Sequence, residues 1–287
     1  MKKNIIKTVN LNKGFRKKIF KKIFFLCLIA VFFISTLLWI RREINLSWIR
    51  NCYFAHRGLF NEEFPENSIK AFENAINNDF AIELDIQFTK DKKVIVFHDY
   101  TLERLTSDKR NVSDLTYEEI KGLNLLNTEE KIPLLEDVLN IISGKVPVLI
   151  EIKNSNDIIK LGEETSRILK GYNGKYAIQS FDPCILKWYK KNNRSVLVGL
   201  LIGSYKGVDK FRHCKEVVID FEKFFLNYKM DFLSIDSYDI KNLSVKTFRF
   251  FRIPILSWTI RSHSELKEIK GFADSFIFDS FIPQKNH

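Results

Sequence analysis

Acidic and apolar side chains alternate in two short segments of the chain. Glu83 and Asp85 lie in the run AIELDI, and Glu151 lies in VLIEIK. Successive side chains of a β-strand point to opposite faces, so these carboxylates are expected to share one face. Confined like charges repel and raise each other's pKa unless a cation lies beside them. Three carboxylates form a hard oxygen site that suits Mg²⁺ or Ca²⁺ better than zinc.

A purely structural role is the alternative for these acidic residues. Glu151 could pair with Lys153, which would lie on the same face, while Glu83 and Asp85 could accept hydrogen bonds from backbone groups. Ionic networks are common in proteins, so this alternative is favoured for one carboxylate taken alone. Three carboxylates on neighbouring strands favour the metal site.

Two of the five histidines lie where strands are predicted to end. His56 is followed by Arg57 and Gly58, and His98 is followed by Asp99. Imidazoles have an ordinary pKa of about 6.5, so a pair can serve as base and acid at neutral pH. Arg57 offers a forked donor to a phosphate, and Gly58 permits a tight turn beside it.

The segment PENS, residues 65–68, is predicted to begin a helix. Asn67 or Ser68 would be its N-cap, and this accounts for the segment without any functional role. A less favoured alternative is that the helix start helps to hold an anion or to orient Glu66 toward His56.

Eight runs of β-branched and aromatic residues alternate with amphipathic helical patterns. This rhythm indicates βα units around a parallel sheet, and eight units match a TIM barrel. The predicted strands are 52–56, 81–86, 148–153, 176–181, 195–201, 231–236, 254–260 and 275–280.

One segment interrupts this rhythm after the second strand. The run 94–99 follows too closely for a parallel crossover, so a hairpin is predicted. We expect an insertion from 90 to about 131 above the barrel mouth, with a small helix near 117–122. The barrel would resume with a helix that begins near Pro133.

The basic excess is confined to the N-terminus. Residues 1–42 contain 11 of the 46 Lys and Arg residues and none of the 35 Asp and Glu residues, so the remainder is formally neutral. This argues against nucleic-acid binding, which needs a basic face on the folded domain. Residues 23–40 carry no charge and are long enough to cross most of a bilayer core.

The sequence therefore predicts four regions. They are a basic cytoplasmic tail (1–22), a transmembrane helix (23–40), a spacer (41–51) and a barrel domain (52–287) that lies outside the cytoplasm at the cell membrane. A cleaved signal peptide is the alternative, but its apolar core is usually shorter and ends in a small-x-small site, which is absent here.

Taken together, these motifs resemble the glycerophosphodiester phosphodiesterase family over residues 54–279. Each motif alone is weak, but their order and spacing are specific. The matching segments are AHRG, PENS, IELDIQFTKD, VIVFHDYTLERLT, IPLLEDVL, IEIK, QSFDP, SWTI and FIFD.

The resemblance implies a TIM barrel with an insertion after strand 2 and assigns roles to eight residues. The implied metal ligands are Glu83, Asp85 and Glu151, the catalytic residues are His56 and His98, and the substrate or phosphate contacts are Arg57, Lys153 and Trp258.

The resemblance also implies a reaction on a small or lipid-derived phosphodiester. A glycerol hydroxyl of the substrate attacks phosphorus, one histidine takes its proton and the other gives a proton to the departing alcohol. A cyclic phosphate forms as the alcohol leaves, and water then opens it to give glycerol 3-phosphate. The cation stabilises charge on the phosphoryl oxygens.

The predicted function is thus metal-dependent hydrolysis of glycerophosphodiesters at the outer surface of the membrane. A lysophospholipase D-like or cyclising phosphodiesterase is the enzymatic alternative. A catalytically silent barrel that binds envelope polymers is the alternative from another class, since a fold alone does not guarantee activity.

The sequence departs from the family pattern at four positions. Asp79 and Lys92 stand where turn glycines are expected, Arg261 replaces an asparagine, and Phe278 precedes the final Asp279 in place of threonine. None of these is a predicted ligand or catalytic histidine, so we expect altered turns and substrate preference rather than loss of activity.

Overall fold

The computed structural model separates Met1–Trp48 from a second compact unit, Ile49–His287. Most of the predicted tail, 1–22, and most of the predicted membrane segment, 23–40, lie outside the described residues. Within the described part, no helix combines the length and apolar character needed to cross a membrane. The residues that the structure describes are 20, 23–26, 28–29, 46–203, 230–241, 243–250 and 252–284.

Eight parallel strands of the described chain close into a barrel. Each pairs with its neighbour, and the last pairs with the first, which confirms the predicted TIM barrel. The ninth strand, β3, lies outside the ring. The strands are β1 (Tyr53–Ala55), β2 (Ala81–Phe88), β3 (Val94–Val96), β4 (Val148–Ile152), β5 (Tyr176–Ser180), β6 (Leu197–Ile202), β7 (Phe232–Asp236), β8 (Ile255–Ile260) and β9 (Ser275–Phe278).

Helices pack on the outer face of this barrel. Ile82 and Leu84 of β2 belong to one apolar cluster with Phe72 and Leu135 from two of the helices. The carboxylates that alternate with them therefore point into the barrel. The described helices are α1 (Ile69–Asn77), α2 (Glu103–Thr106), α3 (Tyr117–Ile120), α4 (Leu135–Ile142), α5 (Ile158–Leu169), α6 (Pro183–Asn192), α7 (Leu243–Phe250) and α8 (His263–Ile269).

The predicted insertion after β2 is present. Strand β3 pairs antiparallel with β2 in the register Ile86↔Val96, as expected for a hairpin. The segment that follows contains α2, a 3₁₀ turn at Val112–Asp114 and α3. Its buried side chains, among them Phe97 and Leu105, form an apolar cluster separate from that of the barrel. The insertion thus has its own small core.

Left-handed backbone occurs in several turns, among them those at Gly58, Asp79 and Lys92. Gly58 has φ +82°, and a Cβ there would lie 2.9 Å from the backbone carbon of Ala71. Asp79 and Lys92, the two positions where the family pattern expects glycine, have φ of 55° and 62°. Side chains at positive φ carry a small conformational cost, which aspartate tolerates better than most residues.

Candidate active site

Three carboxylates from two adjacent strands converge inside the barrel. Glu83 and Asp85 come from β2 and Glu151 from β4, and each offers an oxygen within 4.8 Å of the others. The strand register pairs Asp85 with Glu151, and Glu151 in turn with Gln179 of β5. All are buried, with Glu83 and Asp85 only 2% and 1% exposed. The predicted convergence of these acidic side chains is confirmed.

Lys153 lies against the same cluster. Its Nζ is 2.7 Å from Glu151 Oε1 and 2.9 Å from Asp85 Oδ1, so the ion pair considered as the structural alternative does exist. Glu83, by contrast, accepts hydrogen bonds from neutral donors, the backbone N–H of Arg57 at 3.1 Å and Gln179 Nε2 at 3.3 Å.

Burial and charge act differently on the three carboxyl groups. Burial, together with repulsion from Asp85 and Glu151, raises the pKa of Glu83 well above its usual range. Burial also raises the pKa of Glu151, although Lys153 opposes this. For Asp85 the burial effect is outweighed by Lys153, His98 and Arg57, which lower its pKa. The negative charge of Glu83 is therefore the least compensated of the three.

These properties fit a divalent cation. The donors are all oxygens, which suits a hard ion such as Mg²⁺ or Ca²⁺. Gln179 Oε1 is a further buried oxygen without a hydrogen-bond partner among the described residues. A cation bound by Glu83, Asp85 and Glu151 would neutralise the repulsion that raises the pKa of Glu83.

Arg57 lies at the edge of the cluster, in the turn after β1. Its Nη1 donates to Glu66 Oε1 at 2.6 Å, and its Nε is 3.4 Å from Asp85 Oδ2. Asn67 Nδ2 also donates to Asp85 Oδ2, at 3.0 Å. The N-cap of α1 is Ser68, as one of the two predicted residues. Arg57 is thus held at the edge of the cluster by two carboxylates.

His56 follows β1 and faces the residue that follows β9. Because Ala55 pairs with Phe278, the next residues along each chain segment meet, and His56 Nδ1 lies 2.9 Å from Asp279 Oδ2. Burial lowers the pKa of His56, and the hydrogen bond to Asp279 opposes this. The Asp279 carboxylate also lies 3.3 Å from Arg261 Nε. Glu66, which the less favoured alternative orients toward His56, accepts hydrogen bonds from Arg57 and Arg104.

His98 is carried by the insertion. Its Nδ1 lies 2.6 Å from Asp99 Oδ1. Gln87, the inward residue of β2 beyond Asp85, donates from Nε2 to Phe97 O at 2.9 Å and to Asp99 O at 2.8 Å. The backbone on both sides of His98 is thereby tied to the strand that bears two of the carboxylates. The alternation that turns Glu83 and Asp85 inward does the same for Gln87, for which no role was predicted.

Trp258 lies on β8 in an aromatic contact. Its ring meets Phe181 edge to face, with centroids 5.8 Å apart, and Nε1 donates to Ser234 O at 3.0 Å. Phe181 is partly exposed at the end of β5. The predicted substrate contact of Trp258 stays a prediction.

A large open cavity borders the site on the side of the insertion. Its volume is about 940 Å³, and Glu66, Arg104 and Asp279 are among the side chains that line it. Leu59, Phe60, Leu105, Leu126, Phe281 and Ile282 give it apolar walls.

Comparisons with known proteins agree with this geometry. The model of the glycerophosphoryl diester phosphodiesterase family matches residues 56–278. A glycerophosphodiester phosphodiesterase of Bacillus altitudinis is 42% identical over 114 residues, which is 37% of this chain and 46% of that protein. One from Caldanaerobacter subterraneus subsp. tengcongensis is 35% identical over 164 residues, covering 53% and 67%. The chain spans about half the length of the Bacillus relatives that it matches.

A solved structure supports the same fold. An Oleispira antarctica phosphodiesterase, determined in complex with its product sn-glycerol-3-phosphate, superposes with a TM-score of 0.70 at 19% identity. The alignment covers 82% of this chain and 95% of that one.

Proposed function

The chain belongs to the glycerophosphoryl diester phosphodiesterase family, and from that premise we propose that it hydrolyses glycerophosphodiesters to glycerol 3-phosphate and an alcohol in a cation-dependent reaction. The convergence of Glu83, Asp85 and Glu151 on one buried point carries this proposal. Two histidines, each paired with an aspartate, complete the site.

Binding of the phosphate is assigned to the cationic side of the site. A divalent ion held by the three carboxylates would act as a Lewis acid on the phosphoryl oxygens. Arg57 and Lys153 would add positive charge at the same oxygens, where charge increases most during phosphoryl transfer. The pKa of Lys153 is raised, because Asp85 and Glu151 outweigh the effect of its burial, so this side chain remains cationic at neutral pH.

Proton transfer is assigned to the two histidines. Asp279 occupies Nδ1 of His56 and Asp99 occupies Nδ1 of His98, which leaves each Nε2 for the substrate. One imidazole accepts the proton of the attacking glycerol hydroxyl, and the other donates a proton to the departing alcohol. The glycerol oxygen bonds to phosphorus as the bond to the departing alcohol breaks, which forms a cyclic phosphate. Water then opens this ring and glycerol 3-phosphate is released.

The N-terminal sequence supports a location for this reaction. The uncharged run 23–40 follows a basic tail, so the proposal includes a single membrane-spanning helix with the barrel outside the cytoplasm. Deacylated phospholipids, lysophospholipids and glycerophosphate polymers would all be within reach of such an enzyme.

The apolar cavity favours one second candidate, a lysophospholipase D-like activity. Leu59, Phe60 and Leu105 line it beside Glu66 and Asp279, so the cavity could accommodate the acyl chain of a lysophospholipid, which stays on the glycerol phosphate while the head-group alcohol departs. The attacked phosphorus and the proton transfers would be unchanged.

A release assay tests the proposal. Protein is incubated with glycerophosphocholine, glycerophosphoethanolamine or lysophosphatidylcholine, with EDTA or with added Mg²⁺ or Ca²⁺. We expect release of glycerol 3-phosphate that EDTA abolishes and one of the ions restores. Choline release from lysophosphatidylcholine alone would favour the second candidate. Failure to cleave any diester with either ion would favour a silent barrel.

The histidine variants test the proton transfers. We expect His56→Ala and His98→Ala each to lower kcat by about 10²–10⁴-fold, because each removes a positioned acid or base. Circular dichroism should remain that of the wild type, since both side chains lie at the barrel mouth. Turnover near wild type in either variant would contradict the proposed mechanism.

A further inference from the structure

Arg104 makes two forked contacts at the edge of the site. Its Nη1 and Nη2 each lie 2.7 Å from an oxygen of Glu66, while Nε and Nη2 lie 2.7 Å and 3.1 Å from the oxygens of Asp99. The side chain comes from α2 of the insertion. A planar guanidinium can hold two carboxylates at once in this way, and an ammonium group cannot.

Each carboxylate held by Arg104 contacts a residue of the proposed chemistry. Asp99 is 2.6 Å from Nδ1 of His98. Glu66 Oε1, which Arg104 shares, accepts from Nη1 of Arg57 at 2.6 Å. A continuous chain of charged contacts therefore runs from His98 on the insertion to Arg57 on the barrel.

On the basis of the proposed function, we propose that Arg104 is a positioning residue that fixes His98 through Asp99 and Arg57 through Glu66. Without it, Asp99 would lose two of the contacts that set its orientation, and His98 would lose a fixed partner. Glu66 would then pair with Arg57 alone and would neutralise more of the positive charge with which Arg57 is proposed to bind phosphate. Loss of Arg104 is therefore expected to lower kcat and to raise KM.

Exposure separates this role from a structural one. The Arg104 side chain is 46% exposed, so its ion pairs are screened by water and contribute little to the stability of the fold. Catalysis is more sensitive, because small displacements of a positioned group cost much of the rate. We therefore expect that loss of the Arg104 side chain greatly lowers turnover and leaves stability almost unchanged.

Arg110 provides a matched control within the same insertion. It forms a forked pair with Asp108 through Nε and Nη2, at 3.0 and 2.6 Å, and is also exposed. In the described chain, the hydrogen bonds of its partner Asp108 are to Thr106 and Arg110, not to either histidine or to Arg57. Arg110→Gln thus removes a similar ion pair without touching the proposed chain of contacts.

The test compares Arg104→Gln, Arg104→Lys and Arg110→Gln in the full chain with glycerophosphocholine. We expect Arg104→Gln to lower kcat/KM by about tenfold or more, with Tm changed by no more than about 3 °C. Arg104→Lys keeps the charge but loses the fork, so it should resemble the glutamine variant rather than the wild type. Arg110→Gln should match wild type in both measurements.

Two outcomes would overturn the inference. One is an Arg104→Gln enzyme whose kcat/KM stays within about twofold of wild type. The other is a loss of turnover that disappears when rates are normalised to the folded fraction, with Arg104→Lys fully active, since Arg104 would then act only on stability.

Hydrogen exchange tests the same chain of contacts without any turnover. In Arg104→Gln, amides in residues 97–101 and 57–68 should both exchange faster than in Arg110→Gln. Unchanged exchange in both segments would refute the positioning role. If the wild type cleaves no diester, the proposed function fails, while this measurement still decides whether Arg104 orders the two segments.

Discussion

Glu83 is a residue whose surroundings oppose its own charge. It is buried, its close hydrogen-bond donors are neutral, and two further carboxylates lie within 4.8 Å. Binding sites commonly keep such unfavourable charge because the ligand relieves it. Removing the charge of Glu83 should therefore raise stability and lower activity.

We predict that Glu83→Gln stabilises the metal-free protein and abolishes turnover. The pKa of Glu83 is raised above its ordinary value of 4.5, so its ionised form destabilises the fold increasingly as pH rises above about 4.5. At pH 8 in EDTA, the glutamine variant should be more stable by about 1–2 kcal/mol. Denaturant unfolding measures this.

Measuring the stability difference between Glu83→Gln and the wild type at several pH values provides the control. The advantage of the variant should shrink as pH falls toward 4.5, because wild-type Glu83 then becomes protonated in both the folded and the unfolded state. A variant less stable than wild type at pH 8 would mean that the ionised carboxylate is already well compensated.

Residue spacing predicted part of this site and missed another part. Strict alternation along β2 was sufficient to place Glu83 and Asp85 together. The partners of Arg104 were not predictable, because they depend on how the insertion folds over the barrel. Gln179 lies in the matching segment QSFDP, but its contact with Glu83 was not predicted because it depends on the register between β4 and β5.

Among the elements, the turn between β1 and α1 sets the position of Arg57. Gly58 has φ +82°, and the position that a Cβ would occupy on this residue faces the backbone of Ala71 in α1. The residue before it, Arg57, is also left-handed, with φ 58°, and this directs its N–H to Glu83. A side chain at Gly58 would move both the helix and the turn.

We predict that Gly58→Ala destabilises the fold by about 2–4 kcal/mol, the sum of left-handed strain and overpacking against Ala71. Because the turn carries Arg57, KM for a phosphodiester should rise as well. Urea unfolding and steady-state kinetics measure the two effects. Gly122→Ala is the control, since a Cβ there meets nothing within 4 Å, and it should change stability by less than about 0.5 kcal/mol. An equal change of stability in both variants would argue against left-handed strain and overpacking at Gly58.

Element boundaries show why some features of the fold were predicted and others were not. The eight barrel strands were found because their apolar periodicity is strong. The predicted helix near Pro133 is present and begins at Leu135. The short helix α2 was not predicted, although α3, of the same length, was; α3 begins with a capping box at Thr116 and Glu119, whereas α2 has no side-chain cap. Glu66 was considered as a partner of His56, but the β1–β9 register brings Asp279 there instead.

For the molecule as a whole, the uneven distribution of charge leads to a prediction about location. The domain after residue 42 is formally neutral, while the basic residues before it flank an uncharged run. We predict that the full chain sediments with membranes and that protease added to intact cells removes the barrel domain. A chain beginning at Ser47 should remain in the soluble fraction. Full protection of the domain in intact cells would reverse the proposed orientation.

The insertion has a consequence for how this protein could change over time. Segments added to a barrel usually tolerate lengthening, shortening or exchange, because the ring of strands folds without them. Here the added segment has an apolar core of its own and also carries His98. Replacing it with a plain loop is expected to leave a barrel that still gathers three carboxylates but lacks His98, one of the two proposed proton carriers. Under the proposed mechanism, descendants that lose this segment would keep the architecture and bind phosphodiesters without hydrolysing them.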